Sequence, residues 1–388
     1  MRSLSIAALL AFICVGQTAT GNTEIRVADW LLTEPIAESQ IAEGVEWESD
    51  TTRLCSCCGE APACCGDDCC GNGCCSEVCC GGCCSACSTG CRCCDKNCGL
   101  FGRGILTYDP CSKGCKLPSL LLGCFRDTEA CFDDFISPMT NPTLFEDPRN
   151  VTELRTIFLT HHVPSGLGGG DIQLYALQIR ARLTDRLSFI AARDGYIVSR
   201  NPLVGDGWAD IDLGFKYALY RDAKNQRLLS GGVVYDLPVG TPDALQAGGD
   251  GDFHLFLTGG TRFCGCGHWL SAFGGIIPPN EDLTSSFVYW SNHFDYQVRR
   301  GWYALMEFNW FHYTDGGSDR LGLTGIEGGD LFNLGSGGVN GNNIVTGAIG
   351  GNYKPNQNTE IGLAIEIPLT DRQDVLENRL TADLILRY

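Results

Sequence analysis

The chain ends on RLTADLILRY (residues 379–388). In it Leu380, Ala382, Leu384, Leu386 and Tyr388 fall on one face of an extended strand, and Arg379, Thr381, Asp383 and Arg387, with Ile385, on the other. Successive side chains of a strand point to opposite sides, so this segment has one apolar surface and one charged surface. Its length matches the roughly 9–11 tilted residues that carry a β-strand across a bilayer. Lipid on one side and a polar lumen on the other account for both surfaces at once.

The same grammar recurs upstream. Ile361, Leu363, Ile365, Ile367 and Leu369 oppose Glu360, Gly362, Ala364 and Glu366. Ile211, Leu213, Phe215, Tyr217 and Leu219 oppose Asp210, Asp212, Gly214 and Lys216, and Tyr175, Leu177, Ile179, Ala181 and Leu183 oppose Gln178, Arg180 and Arg182. Segments of this kind begin near residues 153, 171, 186, 208, 226, 252, 267, 285, 301, 343, 357 and 376, an even set as bacterial barrels use. The connections alternate in length. Residues 184–186, 299–301 and 354–358 are short, whereas 239–251 and 314–342 are long and rich in Gly and Asp. Short periplasmic turns and long outer loops produce that asymmetry, which puts both chain ends in the periplasm. The expected fold is an all-β, antiparallel transmembrane β-barrel of about 12 strands over residues 151–388, in contact with outer-membrane lipid. A soluble antiparallel barrel or sandwich alternates equally well. Against it stand the turn asymmetry, an export signal, and the aromatics Trp290, Trp302, Trp310, Phe294 and Tyr353 near strand ends.

The preceding 150 residues differ in kind. Residues 1–21 read as a signal peptide, with Arg2, an apolar run from Leu4 to Gly16, and Ala19-Thr20-Gly21 as a small-residue cleavage site. Residues 22–54 are an acidic arm without periodicity. Residues 55–131 form a cysteine-rich, irregular segment, with 18 of the chain's 25 cysteines between Cys55 and Cys98 and others at Cys111, Cys115, Cys124 and Cys131. Loss of Cys14 with the signal leaves an even number in an oxidising compartment, which favours disulfides over thiolate-bound zinc or copper(I). These bonds are internal, or they cross-link the barrel to other envelope proteins. Cys264-Gly265-Cys266 falls in a short turn, on the same side as this segment. Residues 132–150, broken by Ser137-Pro138 and Asn141-Pro142, read as a linker. A net charge of −18 argues against nucleic acid as a partner.

The alternation running back from Tyr388 through Leu386, Leu384 and Leu380 looks like the C-terminal signature by which outer-membrane barrels are handed to the barrel assembly machinery. Leu183–Phe189 (LTDRLSF) followed by Trp208–Tyr220 (WADIDLGFKYALY) resembles the outer-membrane transporter family named for the meta-pathway of phenol degradation. The resemblance covers roughly residues 151–388. It implies a barrel and a transport role and leaves the cysteine-rich segment aside.

A barrel of this size can enclose more space than its side chains fill, which makes a water-filled passage physically possible, so the leading functional reading is a pore or transporter for small solutes. The expected pore-lining residues are Arg180, Arg182, Asp210, Asp212, Lys216, Asp295, Glu307, Glu360, Glu366, Arg379, Asp383 and Arg387. They mix signs and can pair across the lumen. Two other readings compete: a lumen plugged by the loop 314–342, and a structural envelope protein cross-linked through its cysteines. An outer-membrane hydrolase would need a nucleophile and a base, such as Ser291 with His293, or the pair His161-His162. No catalytic set, metal site or cofactor is expected. The Asp-rich stretches 249–252 and 315–319 read as turn chemistry rather than calcium loops.

Overall fold

The computed structural model describes Arg126 and residues 128–388, Arg320 excepted. The signal peptide, the acidic arm and all the cysteine-rich segment before residue 126 lie outside the described residues. The strand segments are β1 (Glu153–His162), β2 (Asp171–Arg182), β3 (Leu187–Ser199), β4 (Gly207–Trp208), β5 (Ile211–Asp222), β6 (Arg227–Leu237) and β7 (Asp252–Phe263). They continue with β8 (Gly267–Ile277), β9 (Ser286–Arg299), β10 (Trp302–Asp315), β11 (Asn343–Asn356), β12 (Thr359–Pro368) and β13 (Asn378–Arg387). Each stave pairs antiparallel with its neighbours, and β13 returns to β1 in register from Glu153↔Arg387 to His162↔Asn378, so the sheet is closed. The two-residue β4 and the longer β5 both pair with β3 and are successive pieces of one bent stave. The result is a closed antiparallel barrel of 12 staves. Among the described residues no helix is long and apolar enough to cross a membrane.

The expected strand starts agree with the observed ones to within two residues. The reason is the period of two, which a one-residue slip would invert everywhere. Leu213, Phe215, Tyr217 and Leu219 of β5, Leu255 and Leu257 of β7, and Leu363, Ile365 and Ile367 of β12 are exposed on the outer wall. Their alternating partners Asp212, Lys216, His254, Thr258, Glu360 and Glu366 are buried inside. This is the inverse of a water-soluble protein, whose exterior would carry the charges. Aromatic pairs sit near both rims: Trp302 against Tyr353 at one end (ring centroids 4.4 Å apart), and Tyr196 against Trp208 at the other (5.1 Å). Trp290 and Phe294 lie further in along β9. There the Trp290 indole N–H donates to Ser271 Oγ (2.9 Å) and Phe294 stacks on Trp269 (6.0 Å).

Connections alternate around the whole barrel. Residues 183–186, 223–226, 264–266, 300–301 and 357–358 form one rim, and the longer 163–170, 200–206, 238–251, 278–285, 316–342 and 369–377 form the other. β1 begins and β13 ends at the short-turn rim. Cys264 and Gly265 both take positive φ (49° and 75°), the backbone hand that a tight turn between β7 and β8 requires.

Candidate functional site

The lumen is where the inward residues converge, and it is filled. Residues 135–150, expected as a linker, are buried throughout and run inside the barrel. The chain enters at the short-turn rim, where the Thr128 N–H donates to the Tyr388 carbonyl (2.5 Å) and Thr128 Oγ1 to the Thr152 carbonyl (2.9 Å). A single 3-10 turn, Ala130–Phe132, leads into an irregular stretch that rises to a bend at Asn141, whose φ is 53°. The Leu144 and Phe145 N–H groups close the bend on the Asn141 carbonyl, and the chain returns to the same rim, with Glu129 N–H on Asn150 O. The segment is thus an inserted hairpin without a ladder.

An irregular backbone can be buried only if its polar groups find partners. Here the barrel wall supplies them from side chains. Glu360 Oε1 accepts the Ser137 N–H (2.9 Å), and the two oxygens of Glu307 accept the Met139 (2.7 Å) and Thr140 (2.6 Å) N–H groups. Arg155 donates to Pro138 O (2.8 Å), Gln178 to Pro142 O (2.9 Å), Tyr289 to Leu144 O (2.7 Å), Thr258 to Glu146 O (2.7 Å) and Ser230 to Pro148 O (2.6 Å). Pro138, Pro142 and Pro148 bring no N–H of their own to satisfy.

Charges are paired in the same volume. Arg180 bridges Glu146 of the hairpin (2.7 Å) and Glu153 of β1 (3.1 Å). Arg387 takes Glu153 (2.9 Å), Glu360 (2.6 Å) and the Ser137 hydroxyl (2.7 Å), and Lys216 lies 3.6 Å from Glu146. Arg379 pairs with Glu366 (2.6 Å) and with Asp330 of the loop 316–342 (2.8 Å), and Arg155 with Asp383 (2.7 Å). Isolated, such ions would be prohibitively costly in a dry lumen; paired and hydrogen-bonded, they define where the hairpin sits.

Beside these polar contacts lies an apolar cluster. Phe132, Phe135, Leu144 and Phe145 pack with Leu228, Leu270, Ile276, Phe287, Tyr289, Phe311 and Tyr313 from β6 to β10. Met139 sits with Leu305 and Ala364, over Gly362, where an added Cβ would lie 2.0 Å from the Met139 sulfur. The loop 316–342 completes the filling from the other rim. Leu331, Phe332 and Leu334 are buried against the upper parts of β1 to β3, and Thr143 at the hairpin bend donates to Asp330 O (2.9 Å). The loop does fold inward as the plugged reading expects, and the hairpin fills the lumen beneath it.

Of the residues expected to line a pore, Arg180, Lys216, Glu307 and Glu360 bind the hairpin, Arg387 binds both it and the wall, and Asp383, Glu366 and Arg379 pair with the wall or the loop. Asp212 is buried on the inner face beside Asp236 of the next stave. Arg182 lies at the short-turn rim on Asp185 (2.7 Å), and Asp210 at the long-loop rim accepts N–H groups from Gly240 (2.7 Å) and Ala247 (2.9 Å). Leu380, Leu384 and Leu386 face outward on β13. Asp295 belongs to a buried row: His268 Nδ1 is 2.8 Å from one of its oxygens, His293 Nε2 3.2 Å from the other, and His293 Nδ1 meets Glu307. His293 is thereby engaged by two carboxylates, and Ser291 Oγ accepts the Asn141 amide (2.9 Å), so the two do not form a nucleophile–base pair. His161 contacts Val375 O (2.8 Å) from inside, whereas His162 faces out onto Asp171. Of the Asp-rich stretches, Asp252 accepts from Thr284 (2.8 Å) and Asn333 (3.0 Å), and Asp319 from Thr324. The partners in the hairpin were missed because it has no periodicity. Its signal was compositional: Phe132, Phe135, Ile136, Met139, Leu144 and Phe145 are too many large apolar groups for an exposed linker.

No family model matches the chain, and no curated protein matches it. Solved structures with similar barrels include an outer membrane channel from Pseudomonas putida F1, at 13% identity over 66% of this chain and 100% of that one, with a TM-score of 0.45. The NanC porin (8% identity, 61% of this chain and 98% of that one, TM-score 0.40) and the KdgM porin (8%, 61% and 99%, TM-score 0.38) are further examples. By its own architecture the chain is a porin-like barrel of the outer-membrane type, with an internal hairpin in its lumen.

Proposed function

We propose that this protein is an outer-membrane pore or transporter for small solutes, observed in its closed state, with both termini in the periplasm and a disulfide-rich extension on that side. One observation carries the reading: the material that closes the lumen is separate from the wall. Residues 128–150 add no strand to the barrel, and all staves find their partners without them. A barrel whose seal is an independent insert has a conduit beneath it. With the insert aside, the conduit is lined by Arg180, Asp212, Lys216, Asp295, Glu307, Glu360, Glu366, Arg379, Asp383 and Arg387, with Arg182 and Asp210 at the rims. Phe287 and Tyr289 share β9 with Asp295, and Phe311 shares β10 with Glu307. A lumen that carries both charged and aromatic side chains suits small solutes that have both characters. The resemblance to the phenol-pathway transporter family points the same way. Cys131 and Cys266 both lie near the short-turn rim, the side on which the disulfide reading puts the extension.

The test is single-channel recording in planar bilayers, on the native protein and on a form in which Thr128 is joined directly to Val151. Thr128 already touches Thr152, so the deletion leaves the wall connected. Steps of conductance in the native protein, enlarged and continuous in the deleted form, are expected. Silence of both across several preparations would favour the cross-linked structural envelope protein, to which the filled lumen also lends weight.

A further inference from the structure

We infer that the hairpin 128–150 is a gate that withdraws as one body through the short-turn rim, and that Glu307 is the residue that latches it. The inference rests on the pore reading above. Direction follows from topology: both legs of the hairpin cross the same rim, side by side, and its bend points to the other. Movement toward the long-loop rim would drag both legs the length of the barrel past the inward-folded loop 316–342. Movement the other way needs no chain to pass another.

The latch follows from chemistry. Glu307 lies on β10 with its carboxylate fully buried, and it accepts three donors from consecutive residues of the hairpin: the Met139 N–H, the Thr140 N–H and the Thr140 hydroxyl. A carboxylate that gathers two backbone N–H groups and a hydroxyl is a strong local grip, since hydrogen bonds to charged groups are worth about twice neutral ones. Glu307 does not reach for these donors freely. His293 Nδ1 fixes it from β9, and His293 is fixed by Asp295, which holds His268 of β8. The three staves are already joined by their ladders from Gly267↔Tyr296 to Trp302↔Arg299 and onward, so this row adds nothing that strand pairing lacks. Its effect is to aim one carboxylate at the hairpin. Released, each hydrogen-bond partner exchanges the hairpin for water entering the lumen.

Two variants test this in planar bilayers with the full chain. Glu307→Gln keeps shape but halves the acceptor set and removes the charge; open probability is expected to rise about tenfold or more. Thr140→Cys with Asn309→Cys places thiols where Asn309 Nδ2 now donates to Thr140 Oγ1 (3.0 Å). Oxidation of that pair is expected to abolish openings and reductant to restore them, with the native protein in the same reductant as control. Openings of the oxidised double-cysteine protein at the native frequency would overturn the gate while leaving the pore intact. Silence of the native protein, Glu307→Gln and the reduced double variant together would instead remove the pore reading on which it rests. Retention of the heat-modifiable barrel band on gels confirms that each variant is folded.

Discussion

The barrel wall and the hairpin inside it are built from one chain by opposite means. In the wall, backbone pairs with backbone from stave to stave and side chains are spectators whose polarity is chosen by the medium they face. In the hairpin, backbone pairs with side chains: carboxylates of Glu307 and Glu360 take its N–H groups, and Arg155, Gln178, Tyr289 and Thr258 reach its carbonyls. A ladder is cooperative and indifferent to sequence. A set of side-chain clamps is specific, and each can be lost alone. The difference gives the two parts separate means of attachment, a continuous ladder for the wall and individual clamps for the hairpin.

The contrast can be broken or sharpened in order of expected effect. Replacing Arg387 by Ala leaves Glu153 and Glu360 buried beside an empty place, and should cost about 3–5 kcal/mol in urea unfolding of the detergent-solubilised barrel. A loss under about 1 kcal/mol would mean the lumen is wet enough to screen these charges and that the clamps are weak. Leu363 and Gly362 are neighbours on opposite faces of β12. Leu363→Arg puts a charge on the outer wall and should cost about 2–4 kcal/mol, measured by folding into lipid vesicles. Gly362→Ala drives a methyl against Met139 of the hairpin and the Asp383 carboxylate of β13, and should cost about 1–3 kcal/mol, loosening the hairpin first because Met139 is the nearer contact. Protease nicking within 128–150 with the barrel band retained is its expected signature; a destabilised barrel with the hairpin still protected would reverse the assignment.

The smallest effect concerns the loops that cap the lumen. Burial pushes the Asp374 carboxyl up to about 6, only partly offset by Arg372 (2.6 Å away), and burial also raises Glu327 in spite of the hydrogen bonds it accepts from Ser285 and the Ser336 and Leu334 N–H groups. A carboxyl raised on folding stabilises the folded loop fully below its unfolded pKa of about 4, and that stabilisation is lost as pH rises through about 6. Protection of the amides in residues 321–337, corrected for the intrinsic pH dependence of exchange, should therefore fall between pH 4 and pH 7, and Asp374→Asn should flatten the dependence. An unchanged profile in the variant would assign the effect elsewhere.

The wall was legible because its rule is local: two residues suffice to set inside from outside, and β12 and β13 could be assigned side chain by side chain. The bend in the stave formed by β4 and β5 was not, since Ala209 and Asp210 carry no mark of the interruption. Charges such as Arg180 and Glu360 lie inside, and their partners were sought across the lumen. Some partners are neighbours in the wall, Glu153 for Arg180 and Arg387 for Glu360, and the others, Glu146 and the Ser137 N–H, lie in a stretch whose prolines signal broken structure. Broken structure is usually exposed because its backbone needs water. Here the wall takes the place of water, and nothing within residues 132–150 reveals that donors and acceptors two hundred residues away are waiting for it.

The contact between Thr128 and the carbonyl of Tyr388 ties the seal to the seam of the wall. The hairpin precedes the first stave in the chain, and its base rests on the residue that follows the last one. That carbonyl reaches Thr128 where β13 lies beside β1, so the seam that closes the wall also holds the foot of the plug.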